Sequence, residues 1–211
     1  MSGLFISVEG IEGVGKSTAV TGLHNYLASR DIPAVLTREP GGTPNAEHIR
    51  DLLLGDQLQR PHGMTELMLM YASRLEHAES LIKPALQAGK VVLSDRFFDA
   101  SFAYQGGGRG LDIDKIQSLN HWVLGDFKPD VTLLLDAPLE QCLRRMAKRA
   151  SKDRIEQEHA DFFNRVRAQY LALAEQDPRF ICIDATQNIQ DVRASIVAAI
   201  TPFITAFLSE A

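Results

Sequence analysis

One stretch near the N-terminus restricts the folds open to this chain more than any other: Gly10-Ile11-Glu12-Gly13-Val14-Gly15-Lys16-Ser17-Thr18. It meets the G-x-x-x-x-G-K-[ST] pattern, follows directly on the apolar run Leu4 to Val8, and is followed by a helical pattern from Ala19 to Ala28. In that strand–loop–helix setting, backbone N–H groups cradle phosphates, the lysine reaches the β- and γ-phosphates, and the hydroxyl of Ser17 ligates Mg²⁺. The helix N-terminus adds its own positive field. A bound nucleoside triphosphate with magnesium is the expectation.

Five short apolar runs bounded by breakers read as strands: Leu4 to Val8, Ala34 to Thr37, Val91 to Ser94, Val131 to Asp136 and Phe180 to Asp184. Helical patterns lie between them, the signature of a parallel sheet covered by helices on both faces. The expected fold class is α/β: a P-loop NTPase fold with a five-stranded parallel sheet and a short lid, in a single domain over 1–211. Strands ending at Glu9, Arg38, Asp95 and Asp136 place charge at the carboxyl edge, where ligands of open α/β sheets gather.

With 22 Lys and Arg against 27 Asp and Glu, the net charge of −5 offers no overall basic surface for nucleic acid. A small polyanion met by local arginines is expected instead. Cys142 and Cys182 have no metal-type or paired spacing and read as reduced core thiols. A first strand beginning at Leu4 leaves no room for a leader, so a cytoplasmic location is expected. Ile196 to Leu208 is the most membrane-like stretch, but it falls short of the roughly 20 residues of a span and reads as a core helix kinked or restarted at Pro202. The six histidines show no ligand spacing, and no zinc, haem or flavin site is indicated.

The longest helical pattern, Met64 to Ala88, predicts one buried stripe of Met64, Leu67, Met68, Tyr71, Leu75, Ala78, Ile82 and Ala85. Met70 and Arg74 share an adjoining face, where a charged residue is ordinarily solvated. A charge-dense stretch from Ala147 to Glu156 reads as a mobile basic flap or an exposed helical turn.

Asp95, at the end of the third strand, is the candidate metal carboxylate and is favoured over Asp136, because Arg96 beside it suits a phosphate fork. Asp136, before Ala137-Pro138, could instead begin a helix as its cap. Thr37-Arg38-Glu39-Pro40-Gly41-Gly42-Thr43 forms a tight turn at the ligand edge and leads into a helix bearing Arg50. Ser101 to Gly110 offers an aromatic ring, an amide and flexible backbone, to line a base pocket or to act as a hinge.

The arginines bear on the acceptor. A hydroxyl acceptor calls for a general base, whereas a phosphate monoester is already largely dianionic at neutral pH and calls for charge cancellation. Lys16, Arg50, Arg96, Arg149 and Arg154 can supply it.

Taken together, Glu9 to Thr18, Arg38-Glu39-Pro40-Gly41-Gly42, Asp95-Arg96-Phe97, Tyr104 to Gly110 and Asp153-Arg154-Ile155-Glu156 closely resemble the bacterial-type thymidylate kinase family, over almost the whole chain. The resemblance implies Mg²⁺-dependent transfer of the ATP γ-phosphate to dTMP, and a homodimer. It assigns Arg50 and Arg96 to the acceptor phosphate, Arg74 to the thymine carbonyl, Ser101 and Gln105 to the thymine edge, Tyr104 to the deoxyribose wall and Glu12 to the sugar 3′-hydroxyl. It places Glu39 and Pro40 on the acceptor side, Arg149 and Arg154 over the transferring phosphoryl from a lid at about 146–158, and Arg145 near the donor base. Met70 departs from it, standing where relatives often present a phenylalanine to stack on thymine. A thioether can still lie against an aromatic ring. The alternatives are a kinase for another nucleoside monophosphate, a deoxynucleoside kinase and a nucleotide-dependent switch protein. The first would differ only at the base pocket, at Arg74, Ser101 and Gln105; the last lacks support from any N/T-K-x-D motif.

Overall fold

The computed structural model describes residues 3–55, 61–147 and 154–209. Five strands, β1 (Leu4–Glu9), β2 (Ala34–Arg38), β3 (Val91–Asp95), β4 (Val131–Asp136) and β5 (Phe180–Asp184), form one sheet in the order β2-β3-β1-β4-β5. All pairings are parallel. Each strand lies within one residue of the run that predicted it, because β-rich apolar runs bounded by Gly, Pro and charge leave little room for another register.

Alternation along the strands feeds two cores. Leu4, Ile6, Val8, Val91 and Leu93 enter one hydrophobic cluster, while Phe5 and Val92 enter the other. On the first face, α1 (Lys16–Ala28) and α9 (Ile189–Ser209) pack together, joined by residues of α7 (Leu139–Met146) and α8 (Ala160–Gln176). On the second lie α3 (Gly63–His77), α4 (Lys83–Gln87) and α6 (Ile113–Leu124), with α2 (Pro44–Leu54) against α3. The short helix α5 (Asp99–Ser101) runs directly into a π-helical segment, Phe102–Gly108, which packs on α8.

That packing accounts for the run of glycines better than a hinge does. A Cβ at Gly108 would stand 2.5 Å from the Phe162 ring and 2.9 Å from Val166, and one at Gly107 would stand 3.0 Å from the Arg165 carbonyl. The segment is a close contact with α8, and Gly106 and Gly108 are buried.

The long helical pattern is interrupted. α3 ends at His77, a π-helical turn covers Ala78–Ile82, and α4 follows with Pro84 in its first turn, where the ring's missing N–H is tolerated. The predicted single stripe is only partly right. Leu67, Tyr71, Ala78, Ile82 and Ala85 are buried, but Met68 is 51% and Leu75 40% exposed. In their place α3 buries a second, polar face of Glu66, Ser73, Arg74 and His77, turned toward the carboxyl edge of the sheet.

Two further expectations are corrected. Cys142 is buried, but Cys182 is exposed, because its position on β5, at the edge of the sheet, alternates away from the core side held by Ile183. The C-terminal helix runs unbroken through Pro202 for 21 residues, so by length and composition it could cross a membrane. Its stripe of Ile196, Ile200 and Ile204 is nonetheless buried in the first core, at the spacing that faces one side of a helix.

Candidate active site

β1 delivers the phosphate loop to the middle of the sheet edge. Gly10 and Gly13 take φ of 134° and 76°, and a Cβ on either would stand within 2.5 Å of a backbone carbonyl, that of Leu135 or Cys142. Only glycine fits both demands. The loop curls over Lys16, whose Nζ donates to the Gly10 carbonyl at 2.9 Å and the Ile11 carbonyl at 3.0 Å. Burial, helped by the positive charge of Arg96, lowers the Lys16 pKa to about 8. The first turn of α1 carries no acidic side chain, so its N-terminal field is left for an anion.

The β1–β3 register sets Val8 beside Asp95. Ser17 Oγ donates to Asp95 Oδ2 at 2.9 Å, and Asp95 Oδ1 is buried without a hydrogen-bond partner among the described residues. A hydroxyl and an unsatisfied carboxylate oxygen at the foot of a phosphate loop fit a hard divalent cation. Asp136 is engaged otherwise: Arg167 donates to both its oxygens, at 2.6 and 2.7 Å. The helix after it is capped at Pro138 without a side-chain bond, so Asp136 is not its cap.

Beside this loop, Arg96 Nη2 donates to Glu12 Oε1 at 2.6 Å and to the Tyr104 hydroxyl at 2.9 Å, and that hydroxyl donates to Glu12 Oε2 at 2.5 Å. The triangle joins three residues expected at the sugar and acceptor phosphate. Burial works against the Arg96 charge, but Tyr104 and Glu12 outweigh it and hold its pKa well above the ordinary value.

A cleft opens from this triangle toward α3. Glu12, Glu39, Pro40, Arg50, Met70, Arg74, Arg96, Ser101, Tyr104 and Gln105 line it, with Leu54, Ala100 and Ile155 completing the wall. Every residue expected on the acceptor side is among them. Arg74, only 2% exposed, donates from Nε to Glu39 at 2.8 Å, from Nη1 to Ser101 at 2.9 Å and from Nη2 to the Phe97 carbonyl at 3.2 Å. A guanidinium has five N–H groups, so these bonds orient it without exhausting it. Glu39 also meets His77 at 3.1 Å, and His77 meets Thr37 at 2.6 Å, so the second strand's exit loop is tied to α3. Arg50 donates to the Pro40 carbonyl at 2.7 Å.

Sequence reasoning missed Glu66. It is 1% exposed and accepts from Gln105 Nε2 at 2.9 Å, from Arg109 at 3.2 Å and from Arg154 at 2.7 Å. Burial opposes its charge, but the Arg109 and Gln105 bonds prevail and hold its pKa below the usual carboxylate range. An ionised carboxylate can only accept, so Gln105 must turn its NH₂ to Glu66 and its carbonyl away. No spacing rule could have found Glu66, because its partners lie 39 or more residues away.

Arg154 is held by groups outside the phosphate loop. It was expected over the transferring phosphoryl, but its Nε donates to the Leu53 carbonyl at 2.9 Å and its Nη2 to Glu66. A buried carboxylate demands cations, and Glu66 engages Arg154 behind Gln105. From the same turn, Glu156 instead lines the phosphate cavity with Lys16, Ser17, Asp95 and Arg96. Arg149 lies outside the described residues, as do residues 148–153 of the lid expected at 146–158. On the other side of the phosphate loop, Val14, Gly15, Thr18 and Arg145 border a second cavity. Arg145, expected near the donor base, bridges the carbonyls of Val14 and Ala185 at 3.0 Å each.

The comparisons agree with this geometry. A family profile described as Thymidylate kinase matches residues 8–196. The chain belongs to the thymidylate kinase family. It is 52% identical over 195 residues to a thymidylate kinase of Vesicomyosocius okutanii subsp. Calyptogena okutanii (strain HA), covering 92% of this chain and 95% of the relative. A Pseudomonas syringae pv. tomato (strain ATCC BAA-871 / DC3000) thymidylate kinase is 49% identical over 197 residues, covering 93% and 94%. The crystal structure of thymidylate kinase from Ehrlichia chaffeensis superposes with a TM-score of 0.77 at 32% identity, covering 95% of this chain and all of that one. The phosphate loop follows the central strand, and its residues line the cavities on both sides of it.

The depressed Lys16 pKa makes a prediction with a definite sign. The protonated amine holds phosphate, and its proton is lost as pH rises, so affinity for a nucleoside triphosphate falls as pH passes about 8. Calorimetric titration across that range checks it, and an affinity flat with pH contradicts it.

Proposed function

We propose that the protein transfers the γ-phosphate of ATP to dTMP, giving dTDP and ADP, in the cytoplasm and with Mg²⁺. The carrying observation is that the cavity at the phosphate loop and the cleft lined by Met70 and Arg74 adjoin, sharing Glu12, Glu39, Arg50 and Arg96 in their walls. The family relationship supports the same reading.

In this reading an oxygen of the dTMP phosphate attacks the γ-phosphorus, the bond to the β-phosphate oxygen breaks, and ADP leaves with the electron pair. No side chain needs to remove a proton, because the nucleophile is already an anion. The protein's work is to bring two anions together. Lys16 and the loop N–H groups hold the donor, and Arg50 and Arg96 hold the acceptor phosphate. Ser17 and Asp95 would hold Mg²⁺, which when bound neutralises charge on the β- and γ-oxygens. Glu12 and Tyr104 steady Arg96 and face the sugar. Arg149 is proposed to cover the phosphoryl from the lid. For Arg154 the Glu66 contact supports a role in holding the cleft wall.

Base selection follows from the fixed amide. Gln105, with its NH₂ turned to Glu66, offers a carbonyl that can accept from the N3–H of thymine, while the spare Arg74 N–H groups can donate to a ring carbonyl. Cytosine offers no N–H at N3 and is disfavoured by an unpaired acceptor. Met70 would lie against the base face. In a coupled assay of ADP release, dTMP is expected to be the preferred acceptor over dUMP, UMP, CMP, AMP, GMP and free thymidine. Arg74→Ala should lower dTMP kcat/KM by about tenfold or more and narrow the preference for dTMP over the other acceptors. Preference for another monophosphate overturns the base assignments, and absence of acceptor-dependent turnover overturns the reaction.

A homodimer is proposed on separate grounds. Leu52 on α2, Met68 and Leu75 on α3 and Trp122 on α6 are 39%, 51%, 40% and 83% exposed, on helices that pack in sequence against one another. Large apolar groups collected on one set of helices suit a protein–protein contact. Wild-type protein is expected to run as a dimer in light scattering, and Leu75→Asp or Trp122→Asp to shift it toward monomer. A monomeric wild type contradicts the proposal.

A further inference from the structure

Arg96 holds its place by an unusual backbone. Its φ is 74°, a left-handed conformation that a side chain with a Cβ adopts at a cost and that persists only where the surroundings enforce it. Three hydrogen bonds enforce it here. The Arg96 N–H donates to the Val8 carbonyl at 3.0 Å, the Arg96 carbonyl accepts from Ser94 Oγ at 2.6 Å, and the next N–H, that of Phe97, donates to Glu9 Oε1 at 2.7 Å. Both peptide groups that flank Arg96 are therefore clamped.

Glu9 is the unexpected member. It ends β1, is fully buried, and takes its second bond from the Tyr170 hydroxyl on α8, at 2.6 Å to Oε2. Neither of its hydrogen-bonding partners is a cation. Burial and the nearby Asp99 push its pKa up to about 8. An apolar residue would be buried at this strand end at lower cost than a carboxyl, so the carboxyl must serve through its bonds. Tyr170 also packs edge-on against Tyr104, with ring centroids 6.2 Å apart, and Tyr104 grips the guanidinium end of the same arginine. One tyrosine thus supports the clamp on the Arg96 backbone and the other supports its head group.

We propose that Glu9, braced by Tyr170, is a positioning residue for phosphoryl transfer: it fixes the left-handed turn at Arg96 that aims the guanidinium at the acceptor phosphate. The claim rests on the dTMP kinase reading and adds a residue to it that touches neither substrate. When the Glu9 bond is lost, the 96–97 peptide is released, the turn relaxes toward negative φ, and the guanidinium leaves the Glu12–Tyr104 triangle.

The test uses the full chain and separates a positioning role from a general loss of stability. Glu9→Ala should lower dTMP kcat/KM by about a hundredfold while the ATP KM changes less than about threefold, the scale expected when a binding group is misplaced by about 1 Å. Glu9→Gln keeps a carbonyl for the Phe97 N–H and should stay within about fivefold of wild type by the same reasoning. The decisive readout is a cycle on the dTMP dissociation constant. Glu9→Ala should weaken binding about tenfold in the wild-type background but less than about twofold when Arg96 is already alanine, because the two act as one unit. Equal losses in both backgrounds, or wild-type kinetics in Glu9→Ala, overturn the proposal. If Glu9→Ala does not fold, Glu9→Asp and Tyr170→Phe carry the same cycle, and additive losses there overturn it equally. A wild type with no acceptor-dependent ADP release would refute the kinase reading itself, whereas an active wild type with additive losses refutes only the role of Glu9.

Discussion

Charge burial at the carboxyl edge of the sheet is the constraint on which the rest depends. An ion taken out of water is costly unless it is paired and hydrogen-bonded, and the site buries several. In and behind the acceptor cleft, arginines meet carboxylates: Arg96 meets Glu12, Arg74 meets Glu39, and Arg109 and Arg154 share Glu66. These pairs need not be read as large contributors to stability, since apolar substitutes often serve as well. What they provide is orientation. Arg74 and Gln105 face the cleft with fixed donors and acceptors because Glu39 and Glu66 stand behind them.

Lys16 stands apart from this pattern. Its direct bonds go to two loop carbonyls, and its pKa is lowered to about 8 by burial. A cation held against carbonyls has most to gain from an arriving phosphate, whereas a cation already neutralised by a carboxylate has less. The donor side is thus poised electrostatically and the acceptor side is poised by geometry. Asp95 has one buried oxygen without a hydrogen-bond partner among the described residues, which suits the cation proposed for the donor side.

What the sequence shows and what it hides follow the same physics. The phosphate loop and the five strands were legible because their signals are local: a fixed spacing, or a short apolar run between breakers. Arg50 and the run holding Ser101, Tyr104 and Gln105 could be singled out from the residues alone, whereas their separate roles and those of Met70 and Arg74 came only through the family resemblance; all six line one cleft. Glu66, Glu9 and Tyr170 were not legible, since a buried carboxyl looks like any surface acid until its distant partners are known. The pairing of Arg154 with Glu66 was hidden for the same reason, because the two lie 88 residues apart. The predicted stripe on α3 failed at Met68 and Leu75 because that helix faces both a core and a site, and apolar periodicity reports only the core.

The account stands on one claim, that both phosphates meet between Lys16 and Arg96 in a cleft closed at its far end by Met70 and Arg74. A crystal structure of the protein with Mg²⁺, ATP analogue and dTMP tests it most directly. The account predicts the dTMP phosphate against Arg50 and Arg96, the base between Met70 and the Gln105 carbonyl, and the metal on Ser17 and Asp95. A nucleoside monophosphate bound elsewhere, or a metal held by Asp136 in place of Asp95, would contradict it.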